Sequence, residues 1–198
     1  MKKILGLGNA LTDMLLQVSE EDLRELGMSK GSMNLITRSE AEAIQQRFAM
    51  FRKRMVAGGS ASNAITAIAQ LGGKAAFIGK IGNDEVGDFY RSDLIKNGVK
   101  PVLLSSSEAM SGCSIVFITP DGERTFATYL GAAADLHADD IQKEAFIGYD
   151  IFHIEGYMVQ DNALIEKAIR LAKELLFLHS YVHAVCRWHS HLSRLSVF

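Results

Sequence analysis

The sequence predicts an α/β protein built on a mainly parallel sheet with flanking helices, with a smaller β element set beside it. Two observations carry this. Short apolar runs alternate with capped, amphipathic helical segments along most of the chain, the pattern of a parallel sheet with crossover helices. The alternation is then interrupted by two strand-like runs, 113–119 and 125–130, joined by Pro120-Asp121-Gly122-Glu123. That is a strong turn signal and makes an antiparallel hairpin, foreign to a pure βαβ series and suited to a flap or lid.

In order, residues 3–8 form an apolar run ending at a glycine, which suits a buried strand. A helix follows, with Ser19 as its cap, Asp22 at the capping-box position and Gly27 as its stop. Residues 31–36 read as a strand. Thr37 and Glu40 form a second capping box, opening a helix to about Met50. In AGGSASNAITAIAQLGG, residues 57–73, Ala61, Ala64, Ile65 and Ile68 recur at helical spacing, so a helix starts against Gly58 and Gly59 and ends at Gly72. Residues 75–81 form a strand, 84–97 a helix stopped by Gly98, and 99–104 a strand. After the hairpin, a strand over 149–154 and a helix over 162–174 return to the α/β pattern, with Ile165, Ala168, Ile169 and Ala172 as the apolar face of that helix.

The chain has 198 residues, of which 48% are hydrophobic and 22% charged, within the range of a soluble globular domain with a sizeable core. A formal net charge of -2 carries no basic surplus to attract nucleic acid or an anionic membrane. The lysines and apolar run of MKKILGLGNALTDM hint at a signal peptide, but Asn9 and Asp13 break the run. No stretch is apolar enough for a membrane span. Cys113 and Cys186 form no redox motif, so the expected compartment is a reducing cytoplasm.

The composition changes after Glu174. The last 24 residues hold four of the six histidines (His179, His183, His189, His191) and the single tryptophan, Trp188, yet no Asp, Glu, Gly or Lys. His179 and His183 lie one helical turn apart with Cys186 nearby, which suits either a metal cluster or accidental enrichment in an unselected, out-of-frame tail.

Several residues before that point can carry chemistry. Gly58-Gly59-Ser60 precedes a helix, where bare backbone and helix-start N–H groups favour anions or hydroxyl oxygens; a tight strand-to-helix turn has the same sequence needs. Asp13 falls just past the first strand, where ligands of open α/β sheets bind; its carboxylate can accept from two neighbouring hydroxyls, or simply sit exposed in a loop. Arg124, after the hairpin turn, can clamp a phosphate or pair with Asp121 or Glu123. Gly6-x-Gly8 is not a dinucleotide fingerprint, because Leu11 stands where the third glycine belongs. No Walker A loop is present.

Taken together, GNALTD (8–13), AGGSASNA (57–64), IGKIGNDEVG (78–87), CSIVFITPDGERTF (113–126), LGAA (131–134) and IEGY (154–157) resemble the ribokinase and adenosine kinase (PfkB) family, nearest its adenosine kinase branch, in order and spacing. The resemblance covers about residues 1–174. It implies a ribokinase-like fold with lid segments near 14–37 and 110–130, and transfer of a phosphoryl group from ATP, with Mg²⁺, to a sugar or nucleoside hydroxyl. It also implies that Asp13, Gly58, Gly59 and Asn63 bind substrate hydroxyls, that Asn9 and Ser60 are further substrate contacts, and that Arg124 approaches the transferred phosphate. The family's later Asn-x-x-Glu and Gly-Ala-Gly-Asp motifs, which bring the metal contact, anion hole and general base, do not occur in the 198 residues. A general base is worth ~10²–10⁴ in rate and an electrostatic donor roughly 10²–10³. The expectation is thus a fold incomplete at the C-terminus, with no catalytic or metal-ligating residue of its own. Three readings follow: a catalytically incomplete kinase fragment, a non-catalytic sugar- or nucleoside-binding module, or one half of a split kinase. Its partner would be a small molecule, with a homodimer through the lid or a complementary C-terminal half as protein partners.

Overall fold

A computed structural model describes residues 2–175; the tail with its histidine cluster lies outside the described residues. Among the described residues, nine strands form two sheets, packed by five α-helices.

The main sheet is parallel throughout. Its order is β6 (Val99–Ser106), β5 (Lys74–Gly82), β1 (Lys3–Leu7), β9 (Ile151–Ile154). Alternate side chains of a strand go to opposite faces, and both faces are packed, as parallel sheets require. Leu5, Leu7, Phe152 and Ile154 point to α5 (Asn162–Leu175), meeting Leu164, Ala168 and Leu171. Ile4 and Phe77 point the other way, to Ile65 of α3 (Ser60–Gln70) and to Tyr90 and Leu94 of α4 (Glu85–Lys96). Gly6 explains part of the early glycine pattern: a β-carbon there would lie 2.4 Å from Ile65 Cγ1, so the glycine lets α3 close on the sheet.

The second sheet is mixed. Its order is β3 (Met33–Leu35), β8 (Arg124–Tyr129), β7 (Gly112–Ile118), β2 (Leu11–Gln17), β4 (Arg54–Gly58). Leu16, Ile115, Phe117 and Ala127 pack under α1 (Glu20–Glu25) and α2 (Arg38–Arg47), which contribute Leu23 and Ile44, with Phe48 just beyond α2. Both helices carry reciprocal capping boxes, Ser19 with Asp22 and Thr37 with Glu40. The opposite face carries no helix of this cluster, and Met33 and Leu35 on it are 49% and 70% exposed.

Two of these strands depart from the sequence reading. Residues 11–17 form a strand rather than the loop entering α1, and residues 54–58 form an edge strand of the second sheet. In LTDMLLQ the adjacent polar pair Thr12 and Asp13 masks the period-two alternation, although the burial alternates along its length. In RMVAG the strand is short, half-buried and preceded by Arg52 and Lys53. Both are stabilised by pairing with segments remote in sequence, which no local pattern encodes.

Candidate functional site

The site forms where the chain leaves the main sheet for the second one. After β1, residues 8–10 cross over and Leu11 enters β2. Asp13 therefore lies within a strand of the second sheet, not in the loop beyond the first strand. It is the register partner of Val56 and Ser114, and Ser114 of Thr128, so these share the face opposite α1 and α2. Gln17, Ile118 and Arg124 are register neighbours two pairs further along that face. The Asp13 carboxyl rests against Gly58, where a β-carbon would lie 2.5 Å from Asp13 Cγ. Burial pushes the Asp13 pKa up to about 6, against the opposing pull of the Arg124 guanidinium. A half-buried carboxyl titrating near neutrality is the kind of group found at functional sites.

Gly59 caps α3 with φ +91°, and a β-carbon there would lie 2.4 Å from the Asn9 carbonyl oxygen. Both the backbone conformation and the close approach require glycine. Asn63 is exposed on the first turn of α3, its N–H donating to the Gly59 carbonyl at 2.9 Å.

The start of α3 is already occupied by an anion belonging to the chain. Glu155, 4% exposed at the end of β9, accepts from the Ser60 N–H at 3.1 Å, the Ser60 hydroxyl at 2.6 Å and the Asn9 N–H at 2.5 Å. A carboxylate at a helix N-terminus is favoured by the unpaired N–H groups and the helix dipole. Gly8 makes room for it, since a β-carbon at Gly8 would lie 2.4 Å from Glu155 Oε2. Gly6 and Gly8 thus serve packing, and the helix start is not a free phosphate seat. Glu155 lies within the IEGY motif, and the sequence alone indicates no role for it. Its one local signal is a lone acid between an apolar strand and a glycine, and the partners lie 95 and 146 residues away.

Asn9, Asp13, Gly58, Gly59 and Ser60 are thus brought together at the junction of the two sheets, with Asn63 at its rim. Arg124 is exposed at the start of β8 and reaches the site through its field on Asp13. The turn acid offered as its alternative partner, Asp121, instead accepts from Lys30 at 2.6 Å. An open cavity of about 320 Å³ lies beside the same sheet face, lined by Leu35, Ile36, Thr128, Tyr129, Ala134 and Asp135 among others. Among the described residues no group of three or more His, Cys, Asp or Glu converges to hold a metal ion. No described helix is long and apolar enough to cross a membrane. Cys113 is buried, which pushes its thiol up to about 11 and leaves it protonated near neutral pH.

A parallel sheet flanked by helices, joined at the carboxyl end of its first strand to a second, mixed sheet, defines a ribokinase-like α/β protein. Residues 27–192 match the family model described as pfkB family carbohydrate kinase, and the chain belongs to that family. It is similar to a probable fructokinase-3 of Arabidopsis thaliana, 34% identical over 130 residues, which cover 63% of this chain and 38% of that protein. It is also similar to an aminoimidazole riboside kinase of Salmonella typhimurium, 30% identical over 126 residues, covering 63% of this chain and 40% of the other. Among solved structures, an adenosine kinase from Sinorhizobium meliloti superposes with a TM-score of 0.75 at 32% identity, covering 87% of this chain and 54% of that one. The chain spans about two fifths of the length of these curated relatives.

Proposed function

We propose that the described residues form the acceptor-binding part of an ATP-dependent kinase that phosphorylates a hydroxyl of a sugar or nucleoside. The observation that carries this is Asp13. Its carboxyl is half-buried against bare Gly58 backbone, on a sheet face that also presents Arg124. A carboxylate in that setting accepts hydrogen bonds from neighbouring hydroxyls of a sugar ring, and the glycine leaves room for the ring. Relatives named for fructose, for an aminoimidazole riboside and for adenosine agree with an acceptor carrying such hydroxyls.

In this reading Asp13, Gly59 and Asn63 orient the acceptor, with Asn9 and Ser60 beside them, and Arg124 faces the phosphoryl group being moved. ATP, its charge partly neutralised by Mg²⁺, would supply that group. The described residues do not fit either one: the helix start is filled by Glu155 and no carboxylate cluster is present to hold a metal.

The test is titration calorimetry of the chain with D-fructose and with adenosine, for the wild type and Asp13→Asn. Saturable binding of one probe that weakens at least tenfold in the variant supports the proposal. Binding of neither probe by a folded wild-type chain overturns it. The binding-module reading is separated by mixing the chain with ATP, Mg²⁺ and the bound probe: phosphoryl transfer above background would exclude it.

A further inference from the structure

We infer that α4 is a strut that presets the Gly58–Gly59 turn, and that Tyr90 and Asp93 on it are positioning residues for the acceptor site; this rests on the reading of that turn as part of the site. β4 is the edge of the second sheet, and an edge strand leaves a row of N–H and C=O groups without sheet partners. Two such groups at the end of β4 are taken by α4. The Asp93 carboxylate accepts from the Ala57 N–H at 2.9 Å, and the Tyr90 hydroxyl donates to the Gly58 carbonyl at 3.2 Å. The two side chains are three residues apart and so share one helix face. Tyr90 is fully buried, and its ring packs near Phe77 of the main sheet, so its hydroxyl has a fixed position. Burial pushes the phenol pKa up, which keeps the hydroxyl a donor.

The same helix holds the second sheet at another root. Asp84, the cap of α4, accepts from the Gly87 N–H at 2.8 Å. It also accepts from the Ser111 N–H and hydroxyl, each at 2.7 Å, just before β7 begins. Ser111 Oγ in turn accepts from the Gly82 N–H at 2.9 Å. Asp84 and Asp93 are separated by nine residues, about 14 Å of helix. A rigid rod of that length therefore fixes the starting point of β7 relative to the end of β4. The Asp13 strand, β2, runs between those two strands. The Gly58 backbone against which the Asp13 carboxyl rests is thus held from outside the sheet by Tyr90 and Asp93, while Glu155 holds Ser60 and Asn9 from the main sheet.

The test uses the full chain carrying Tyr90→Phe, Asp93→Ala, Asp93→Asn or both Tyr90→Phe and Asp93→Ala. Hydrogen exchange is followed by amide without ligand, and D-fructose and adenosine are titrated in parallel. Expected results are about tenfold faster exchange at Gly59 to Asn63 and at Asn9 in Tyr90→Phe and Asp93→Ala, more in the double variant, with α5 and β5 amides unchanged. Asp93→Asn, which keeps an oxygen acceptor, should restore most of the protection. Whichever probe the wild type binds should bind about tenfold more weakly to Asp93→Ala and near normally to Asp93→Asn. Exchange at Gly59 to Asn63 within twofold of wild type, or acceleration spread equally over the whole chain, overturns the inference. If neither probe binds the wild type, the acceptor reading fails and the exchange arm alone still decides whether α4 presets the turn.

Discussion

The two sheets of this protein solve the same problem differently. The main sheet buries both faces, with α5 on one and α3 and α4 on the other. The second sheet packs one face under α1 and α2; the other carries Asp13, is buried at its centre at Ser114, Val116 and Thr128, and is exposed at Arg124, Met33 and Leu35. Hydrophobic burial stabilises in proportion to the apolar area removed from water. The first sheet therefore carries more of the stability, and the second gives up part of it along the exposed margin of the face that carries Asp13. Side chains on that surface should tolerate change to the extent that they are not tied to the junction.

The sharpest test of this contrast lies in the main sheet. Phe77→Ala, which empties a fully buried site between β5 and α4, should cost about 3–5 kcal/mol in urea unfolding. A loss under 1 kcal/mol would mean that the main sheet is not the principal source of stability.

Asp13→Asn should act in the opposite direction and depend on pH. Burial raises the folded-state pKa of Asp13 to about 6 from its ordinary value of 3.8. Between these values the native state binds more protons than the unfolded one, so stability is lost as pH rises through that window. Asparagine does not titrate. The variant should match wild type near pH 4 and exceed it by roughly 1–3 kcal/mol above pH 7. It should also lose affinity for the acceptor. Thermal unfolding at pH 4, 6 and 8 checks the sign, and a gain confined to low pH would contradict it.

Gly59→Ala probes the junction. It forces a β-carbon onto the Asn9 carbonyl at a backbone φ of +91°, and should cost about 1–3 kcal/mol while abolishing acceptor binding. Unaltered binding would place the site elsewhere. Leu35→Ala is the control at the small end. On the open face, at 70% exposure, it should change stability by no more than about 0.5 kcal/mol.

Much of the fold is legible in the sequence. The α/β class, the starts of α1 and α2, the ends of α1, α3 and α4 and the hairpin follow from signals that act within four or five residues, whereas α2 ends at Arg47, short of the expected Met50. Ser19 with Asp22 and Thr37 with Glu40 close their capping boxes, and Gly27, Gly72 and Gly98 take positive φ where they were expected to end helices. The grouping of Asn9, Asp13 and Gly58-Gly59-Ser60 was available only through the family resemblance of their motifs, since spacing left each with an ordinary alternative.

What the sequence determined by itself was therefore the set of local elements and their punctuation, because capping and glycine dihedrals are decided by neighbours along the chain. The tertiary structure decided which edges those elements share. It made residues 11–17 and 54–58 strands, since their hydrogen bonds go to partners far away in sequence. It filled the start of α3 with Glu155 from 95 residues downstream, so that a helix end suited to a foreign anion holds an internal one. It also set Asp93 against the Ala57 N–H, 36 residues back. A carboxylate becomes a partner only when folding brings a donor to it and removes the water that otherwise competes, and neither event is written in the residues adjacent to it.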